Sequence, residues 1–260
     1  MKSKIKKKKF NLKGLLLIIL AIYLLLMAFY YVFNFHISTI VIHGNDTISD
    51  NEIIKVGKLD KASLLKTSST LTEKRIKKIA FVKDVDVKKT ITGKIIVDIE
   101  EAKVLFYNST NDKYVLSNTK EIKNDKKYLG VATLNNYVPS DIYKSYIKEL
   151  ANVDYSVINM ISEIEYSPDI SEDIVIDDAR FLLKMNDGNS VYINVVNMDK
   201  LNKYQEAIVS VYEEGLGVLY LDSNSSNTLF RTYDKINADE EVLEEANIEV
   251  EEGEEDELSQ

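Results

Sequence analysis

The sequence predicts an α+β protein with one transmembrane helix, followed by a small domain of strands and helices and then a mixed, β-rich domain. Three observations predict this class. A charge-free apolar run extends from Gly14 to Phe33, short alternating stretches rich in Ile and Val recur after it, and segments with helical spacing separate those stretches. The 260 residues include no cysteine, which excludes disulfides, thiolate metal sites and cysteine nucleophiles.

The apolar run predicts a membrane anchor over residues 14–33. Twenty residues at helical rise span about 30 Å, the thickness of the hydrocarbon core of a bilayer. The aromatic end of the run, Phe29 to Phe33, contains no small-residue cleavage site, so we expect an uncleaved anchor rather than a cleaved signal peptide.

The residues before the run predict its orientation. Residues 1–13 contain seven lysines, including Lys6, Lys7, Lys8 and Lys9, and positively charged flanks stay in the cytoplasm. We therefore expect a single-pass, type II protein of the cell membrane with its C-terminal part outside. Contact with anionic lipid explains the basic stub without nucleic-acid binding.

A strand, two helices and two strands are predicted over residues 36–103. The β-branched residues from Ile37 to His43 predict the first strand, and Ser49 with Glu52 forms a capping box that begins the first helix. Apolar spacing predicts the second helix from Thr72 to about Val82. Alternation predicts the closing strands at 85–89 and 94–100.

Residues 104–234 predict a second, β-rich domain. Strands are expected at 104–107, 114–117, 161–166, 179–185, 190–196, 217–222 and 228–232. The pair Asp187-Gly188 predicts a hairpin turn, Ser140 begins a helix, and Asp199 is expected to cap another through about Glu214. Residues 235–260 are expected to form an acidic, disordered tail, because twelve acids and no base lie between Asn237 and Gln260.

These motifs, taken in order, resemble the DivIB/FtsQ family of bacterial division proteins. In the first domain the resemblance rests on Gly44-Asn45, Ser49 to Ile53, Val82 to Val87 and Ile95 to Glu100, which are typical of the polypeptide-transport-associated (POTRA) unit of that family. In the second domain it rests on Met185 to Gly188, Lys200-Leu201 and Leu219 to Asp222.

The resemblance implies a scaffold without catalytic activity at the division septum. It implies binding to the small bitopic proteins FtsL and DivIC/FtsB, and through them to the septal peptidoglycan synthase. The implied contact lies at the end of the second domain, on Leu219, Tyr220, Leu221, Thr228, Leu229, Phe230 and Arg231. The alternatives are a POTRA-bearing component of an export or sporulation channel, and a membrane-anchored accessory to an enzyme without a division role.

Candidate catalytic and metal-binding motifs have simpler structural interpretations. Ser63 to Lys66 forms an S-x-x-K and Ser49 to Asn51 an S-D-N, but their order is reversed relative to penicillin-binding proteins, and Ser49 is expected to cap a helix. Two histidines, His36 and His43, are too few for a zinc site or a triad. Glu163 and Glu165 are expected on one solvated strand face. We therefore predict no enzyme activity, no metal and no cofactor.

Overall fold

A computed structural model describes residues 12–33, 36–60, 63–171, 174–223 and 229–239 of the chain. The chain divides into two compact units, one ending at Glu101 and the other beginning at Ala102. The first unit contains an apolar helix and a small α+β domain, and the second is rich in strands. The predicted α+β class is confirmed.

The apolar helix α1 extends over Leu12–Phe33. Its segment Leu12–Tyr31 has a mean hydropathy of 2.6 and is long and apolar enough to cross a membrane. Its described apolar side chains are exposed, as expected for a helix that is solvated by lipid. Lys6, Lys7, Lys8 and Lys9, which carry the predicted orientation, lie outside the described residues.

The rest of the first unit has the predicted order of strand, two helices and two strands. The elements are β1 (Thr39–His43), α2 (Asp50–Gly57), α3 (Ser69–Ile76), β2 (Val82–Lys89) and β3 (Lys94–Glu101). Strand β3 lies in the centre, parallel to β1 and antiparallel to β2. Buried side chains of both helices, including Ile53 and Ile76, pack with Ile95 and Val97 of β3.

The caps explain where these helices begin. Ser49 Oγ accepts a hydrogen bond from the Glu52 amide at 3.3 Å, so the predicted cap of α2 is confirmed. Ser68 caps α3, which therefore begins before the predicted start at Thr72 and ends at Ile76. The prediction of a helix as far as Val82 is wrong, because Val82 is buried as the first residue of β2.

The Gly44-Asn45 motif has a structural role. Gly44 has φ of +79°, and a Cβ atom there would lie 2.0 Å from the Ile99 carbonyl oxygen. The Asn45 amide donates to the Ile48 carbonyl at 2.8 Å and to Asp50 Oδ1 at 2.7 Å. The motif therefore lets the chain leave β1 close to β3 and turn towards α2.

The second unit begins with four strands and two helices. These are β4 (Val104–Asn108), β5 (Lys113–Leu116), β6 (Glu121–Lys123), β7 (Ala132–Leu134), α4 (Ser140–Leu150) and α5 (Tyr155–Ile158). Four further strands follow: β8 (Ile161–Tyr166), β9 (Asp169–Ser171), β10 (Ile174–Asp177) and β11 (Arg180–Met185). The unit continues with β12 (Ser190–Asn194), a 3₁₀ helix (Val195–Lys203), α6 (Tyr204–Val211), β13 (Gly217–Tyr220) and β14 (Leu229–Thr232).

Nine of these strands form one sheet in the order β14-β13-β12-β11-β8-β7-β4-β5-β6, while β9 and β10 pair only with each other. The predicted hairpin turn at Asp187-Gly188 joins β11 and β12 in antiparallel register. Strands β12 and β13 are parallel, and β13 and β14 are antiparallel. The described part of the sheet therefore ends at β14 on one side and at β6 on the other.

Two helical predictions for this unit need correction. Residues 199–214 do not form one helix capped by Asp199: the helical segment begins at Val195, and Asn194 caps it by accepting from the Asn197 amide. An Asn at the end of β12 satisfies this cap before the chain reaches Asp199. Residues 233–239 are helical, so the prediction of disorder from residue 235 is wrong for the first five residues of the tail. Residues 240–260 lie outside the described part.

The core of the second unit contains two tyrosines that are fully buried, Tyr146 and Tyr204. The ring of Tyr146 stacks on Phe181 with centroids 4.0 Å apart. Its hydroxyl has no hydrogen-bond partner among the described residues. In contrast, the Tyr204 hydroxyl donates to the Asp187 carboxylate, with oxygen distances of 2.8 and 2.9 Å.

This difference predicts opposite effects on stability for the same substitution. Tyr146→Phe removes an unpaired buried hydroxyl, so the free energy of unfolding should stay the same or rise by up to about 1 kcal/mol. Tyr204→Phe removes a hydrogen bond to a charged acceptor and should lower it by about 1.5–3 kcal/mol. Urea denaturation of both variants measures these changes, and a loss of stability in Tyr146→Phe would contradict the assignment.

Candidate partner-binding edge

The exposed side of β14 is the candidate functional site. The two edge strands of the large sheet differ in chemistry: β6 contains charged Glu121 and Lys123, whereas β14 begins with Leu229 and Phe230. Charges on an edge strand discourage pairing with another chain, and apolar residues permit it. Of the two edges of the large sheet, β14 is therefore the better acceptor for an added strand.

The backbone of β14 is oriented to accept such a strand. The Tyr233 amide donates to the Leu216 carbonyl at 3.1 Å, and Thr232 is the register partner of Gly217. Donors alternate in direction along an antiparallel strand. The amides of Arg231 and Leu229 therefore face β13, and those of Phe230 and Thr232 face away from it.

A row of large side chains on the outer face of the sheet leads to this edge. Leu182, Tyr192, Tyr220 and Leu229 are successive register partners across β11, β12, β13 and β14, and we call them the outer row. The rings of Tyr192 and Tyr220 stack with centroids 5.5 Å apart. Leu229 is 55% exposed, so a strand added to β14 would extend the row and cover it.

Partial burial affects the chemistry of the outer row. Burial raises the pKa of the Tyr220 hydroxyl above its usual value, and the neighbouring Tyr192 raises it further. Tyr220 is therefore neutral at physiological pH. The row presents a neutral, largely apolar surface beside the edge.

The opposite face of β14 borders a cavity of ≈ 350 Å³. Phe230 of β14 lines it together with Leu216, which is 53% exposed, and Ile208 and Val211 of α6. Side chains of a strand alternate between the two faces of a sheet. A strand added to β14 would therefore meet the outer row with one set of side chains and the mouth of this cavity with the other.

Two contacts hold β14 beside the sheet from its C-terminal end. The Tyr233 hydroxyl lies 2.9 Å from Ser190 Oγ and donates to the Gly188 carbonyl at 3.2 Å. Arg231 pairs with Asp239 in the helix that follows β14. These contacts and the pairing with β13 position the strand within the second unit.

A partly buried polar network fixes the opposite end of β13. Arg180 Nε donates to Asp222 Oδ2 at 2.7 Å, and the Arg180 guanidinium lies 3.7 Å from the centroid of the Tyr192 ring. The Asp222 carbonyl accepts from the side-chain amides of Asn194 at 3.0 Å and Asn197 at 3.1 Å. This network positions the chain where it leaves β13 on its way to β14.

The predicted contact residues have different positions. Leu219 and Leu221 are 1% and 5% exposed, so their side chains belong to the core, and their role as contact residues stays a prediction. The reason for the burial is the alternation of β13, which buries Leu219 and leaves Tyr220 on the outer face. Leu229, Phe230 and Arg231 form the edge strand, whereas Thr228 lies outside the described residues.

Sequence reasoning missed Tyr192, Leu182 and Arg180. Each belongs to a strand that was predicted, but its position next to the edge depends on the parallel pairing of β12 with β13. The alternation of β11 and β12 indicates which of these side chains face outward. It does not indicate which strand lies next to which.

The serines and histidines considered for catalysis have structural roles. Ser49 caps α2, and Ser63 accepts two hydrogen bonds from Thr67 through its carbonyl. His43 Nδ1 lies 2.8 Å from Asp98, and this hydrogen bond is the main cause of a lowered pKa at Asp98.

The two carboxylates of β8 lie on the solvated side of the sheet. Glu163 pairs with Lys184 at 2.8 Å, and that contact lowers the pKa of Glu163, while Glu165 is exposed. Across the described residues, no group of three or more His, Cys, Asp or Glu side chains is placed to hold a metal ion.

The chain is similar to a protein-family model and to known cell division proteins. The family model described as "POTRA domain, FtsQ-type" matches residues 35–102. The chain is 28% identical to "Cell division protein DivIB" of Bacillus subtilis (strain 168) over 192 residues, which cover 72% of this chain and 71% of that protein. It is 27% identical to "Cell division protein DivIB" of Listeria monocytogenes serovar 1/2a (strain ATCC BAA-679 / EGD-e) over 252 residues, 92% of this chain and 90% of that protein.

A solved structure is also similar to part of the chain. It is the major extracytoplasmic domain of the trans isomer of the bacterial cell division protein DivIB from Geobacillus stearothermophilus. That match has 19% sequence identity and a TM-score of 0.34, and it covers 45% of this chain and 98% of the solved domain.

Proposed function

We propose that this chain, whose resemblance to the DivIB/FtsQ family is confirmed by its FtsQ-type POTRA domain and its DivIB relatives, is a divisome scaffold. It holds FtsL-like and DivIC/FtsB-like bitopic proteins at the septum, and through them it contacts the septal peptidoglycan synthase. The relatives are cell division proteins, which supports the division role. The named partners are part of the proposal.

The observation that carries the proposal is the outer side of β14, which pairs with no other strand among the described residues and lies beside the outer row. A bitopic partner that adds one strand there gains backbone hydrogen bonds from Phe230 and covers Leu229. Backbone pairing supplies affinity, and the alternating side-chain positions supply specificity. This binding needs no catalytic group.

The proposed topology places this edge outside the cell. Helix α1 is long and apolar enough to span the membrane, and the seven lysines of residues 1–13 favour a cytoplasmic N-terminus. Both compact domains then lie on the outer side, where the outer segments of bitopic partners are accessible. We place the protein at the septum because its relatives are cell division proteins.

The central experiment places a charge on the edge. Leu229→Asp puts a carboxylate where the partner strand covers the outer row, and we expect binding to weaken by about 10- to 100-fold, because the charge must be desolvated. The measurement uses the full-length chain in detergent with purified outer segments of the FtsL-like and DivIC-like proteins of the same genome. Leu129→Asp is the matched control, since Leu129 is 87% exposed and lies in a loop.

Two results would contradict the proposal. One is equal binding by the wild type, the Leu229→Asp variant and the control, which would remove β14 from the contact. The other concerns location: a fluorescent fusion of the wild-type chain that stays away from midcell in dividing cells would contradict the division role. It would favour the export or sporulation channel instead.

A further inference from the structure

The two-stranded sheet of β9 and β10 is an apolar surface that the core does not cover. Its aliphatic side chains are more than half exposed: Ile170 at 58%, Ile174 at 68%, Val175 at 57% and Ile176 at 63%. We call residues 169–171 and 174–177 the apolar hairpin. Val175 is the register partner of Ile170, so these two share one face, while Ile174 lies on the other.

β-branched residues are exposed on both faces of this short, two-stranded ribbon. A monomeric protein rarely leaves a contiguous apolar patch uncovered unless the patch binds something. Within the described residues neither strand pairs with a third strand, so both outer backbone edges of the ribbon are also open. The hairpin thus has the features of a docking element.

The charge around the hairpin indicates the kind of partner. Among the described residues from Ser167 to Ala179, Asp169, Asp177 and Asp178 are acidic and none is basic. Arg180, the next residue, is already paired with Asp222 at 2.7 Å. A basic polypeptide is attracted to this surface, whereas a second copy of the hairpin or an anionic membrane is repelled.

Hydrogen bonds link the hairpin to the end of β13, the strand that pairs with β14. Asp177 accepts from the Asn194 side-chain amide at 2.7 Å, and the same amide donates to the Asp222 carbonyl at the end of β13. A cavity of ≈ 320 Å³ lies between them and is lined by Asp169, Ile176 and Ser223 among others. Because Tyr220 at the end of β13 is paired with Leu229, the hairpin and the start of β14 lie at the same end of the sheet.

We infer that the apolar hairpin binds a segment of the partner that flanks its added strand and contains both apolar and basic residues. This inference rests on the proposed function. The hairpin ends just before β11 begins at Arg180. A strand added outside β14 would lie four strand spacings, or about 19 Å, from β11, and six extended residues span that distance. The basic segment is therefore expected within about ten residues of the added strand.

The experiment compares binding by three variants of the full-length chain in detergent. Ile170→Thr, Ile174→Thr and Val175→Thr together keep β-branched residues but remove the apolar surface, and we expect binding of the partner segments to weaken by at least about tenfold. Asp169→Asn with Asp178→Asn should weaken binding and reduce its dependence on salt. Ile91→Thr, at a site that is 97% exposed, is the control and should bind as the wild type does.

Changing the basic residues of the partner identifies the other side of the contact. Removing the lysines and arginines that flank its added strand should weaken binding to the wild type, and should have little further effect on the triple Thr variant. If removing these basic residues weakens binding to the wild type and to the triple Thr variant by the same factor, the inference is overturned. Two other results would also overturn it. One is self-association of the wild type in sedimentation that is lost in the triple Thr variant. The other is protection of the hairpin amides from hydrogen exchange by a nanodisc membrane in the absence of the partner.

The results separate this inference from the proposed function. Binding that is sensitive to Leu229→Asp but equal for the wild type and the triple variant overturns the hairpin contact and leaves the edge contact intact. No binding at all by the wild type overturns the proposed function and, with it, the inference that rests on it.

Discussion

Replacing Phe230 by proline is expected to abolish co-purification of the partner segments while the far-ultraviolet circular dichroism stays unchanged. The Phe230 amide faces away from β13, so proline removes a donor that only a partner strand uses. Proline is tolerated on an edge strand when its missing N–H faces solvent. The ring also blocks the approach of a second strand, and we expect binding to fall by at least about 100-fold.

The matched control is Phe230→Ala. The Phe230 side chain packs against the core and lines the cavity beside β14, so proline also removes side-chain contacts. Alanine removes the same contacts and keeps the amide. The proline variant should therefore bind at least about tenfold more weakly than the alanine variant, and equal binding by the two would show that the outward amide is not used.

Replacing Gly217 by alanine is expected to detach β14 from the sheet. A Cβ atom at this position would lie 2.2 Å from the Arg231 carbonyl oxygen and 2.8 Å from Thr232 Cα. Both contacts are with backbone, so no side-chain rotation relieves them. We expect the free energy of unfolding to fall by about 2–4 kcal/mol and partner binding to be lost, because the edge strand is displaced.

Gly130→Ala is the control variant, because it introduces backbone strain without the steric clash that is expected at Gly217. Gly130 has φ of +69°, but no atom lies within 4 Å of the added Cβ. Its substitution should cost only about 1–2 kcal/mol of strain and should leave binding intact. Urea denaturation and co-purification measure both variants. If Gly217→Ala binds the partner as well as Gly130→Ala does, β14 is not the contact.

Much of the fold follows from local sequence signals. The alternation of residues 94–100, the cap at Ser49 and the Asp187-Gly188 turn each depend on neighbouring residues, and the structure places them as predicted. The strands β6 and β7 were not predicted, since each has three residues and such a segment carries too little alternation to be recognised.

The candidate site was predicted only in part. The sequence and its family resemblance indicate β14, but the burial of Leu219 and the outer row of Tyr192 and Tyr220 depend on which strands become neighbours. Parallel pairing of β12 with β13 joins residues that are 28 positions apart, as in Tyr192 with Tyr220. Residue patterns within one strand do not determine such a pairing, which follows from the packing of the whole sheet.

Amide hydrogen exchange of the full-length chain tests the central claim most directly. On saturation with the outer segments of its FtsL-like and DivIC-like partners, the amide of Phe230 should become protected, because it gains a hydrogen-bond acceptor in the added strand. The amide of Arg231, which already faces β13, should change much less. Protection elsewhere in the second unit, with no change at Phe230, would contradict the claim that the outer edge of β14 receives the partner.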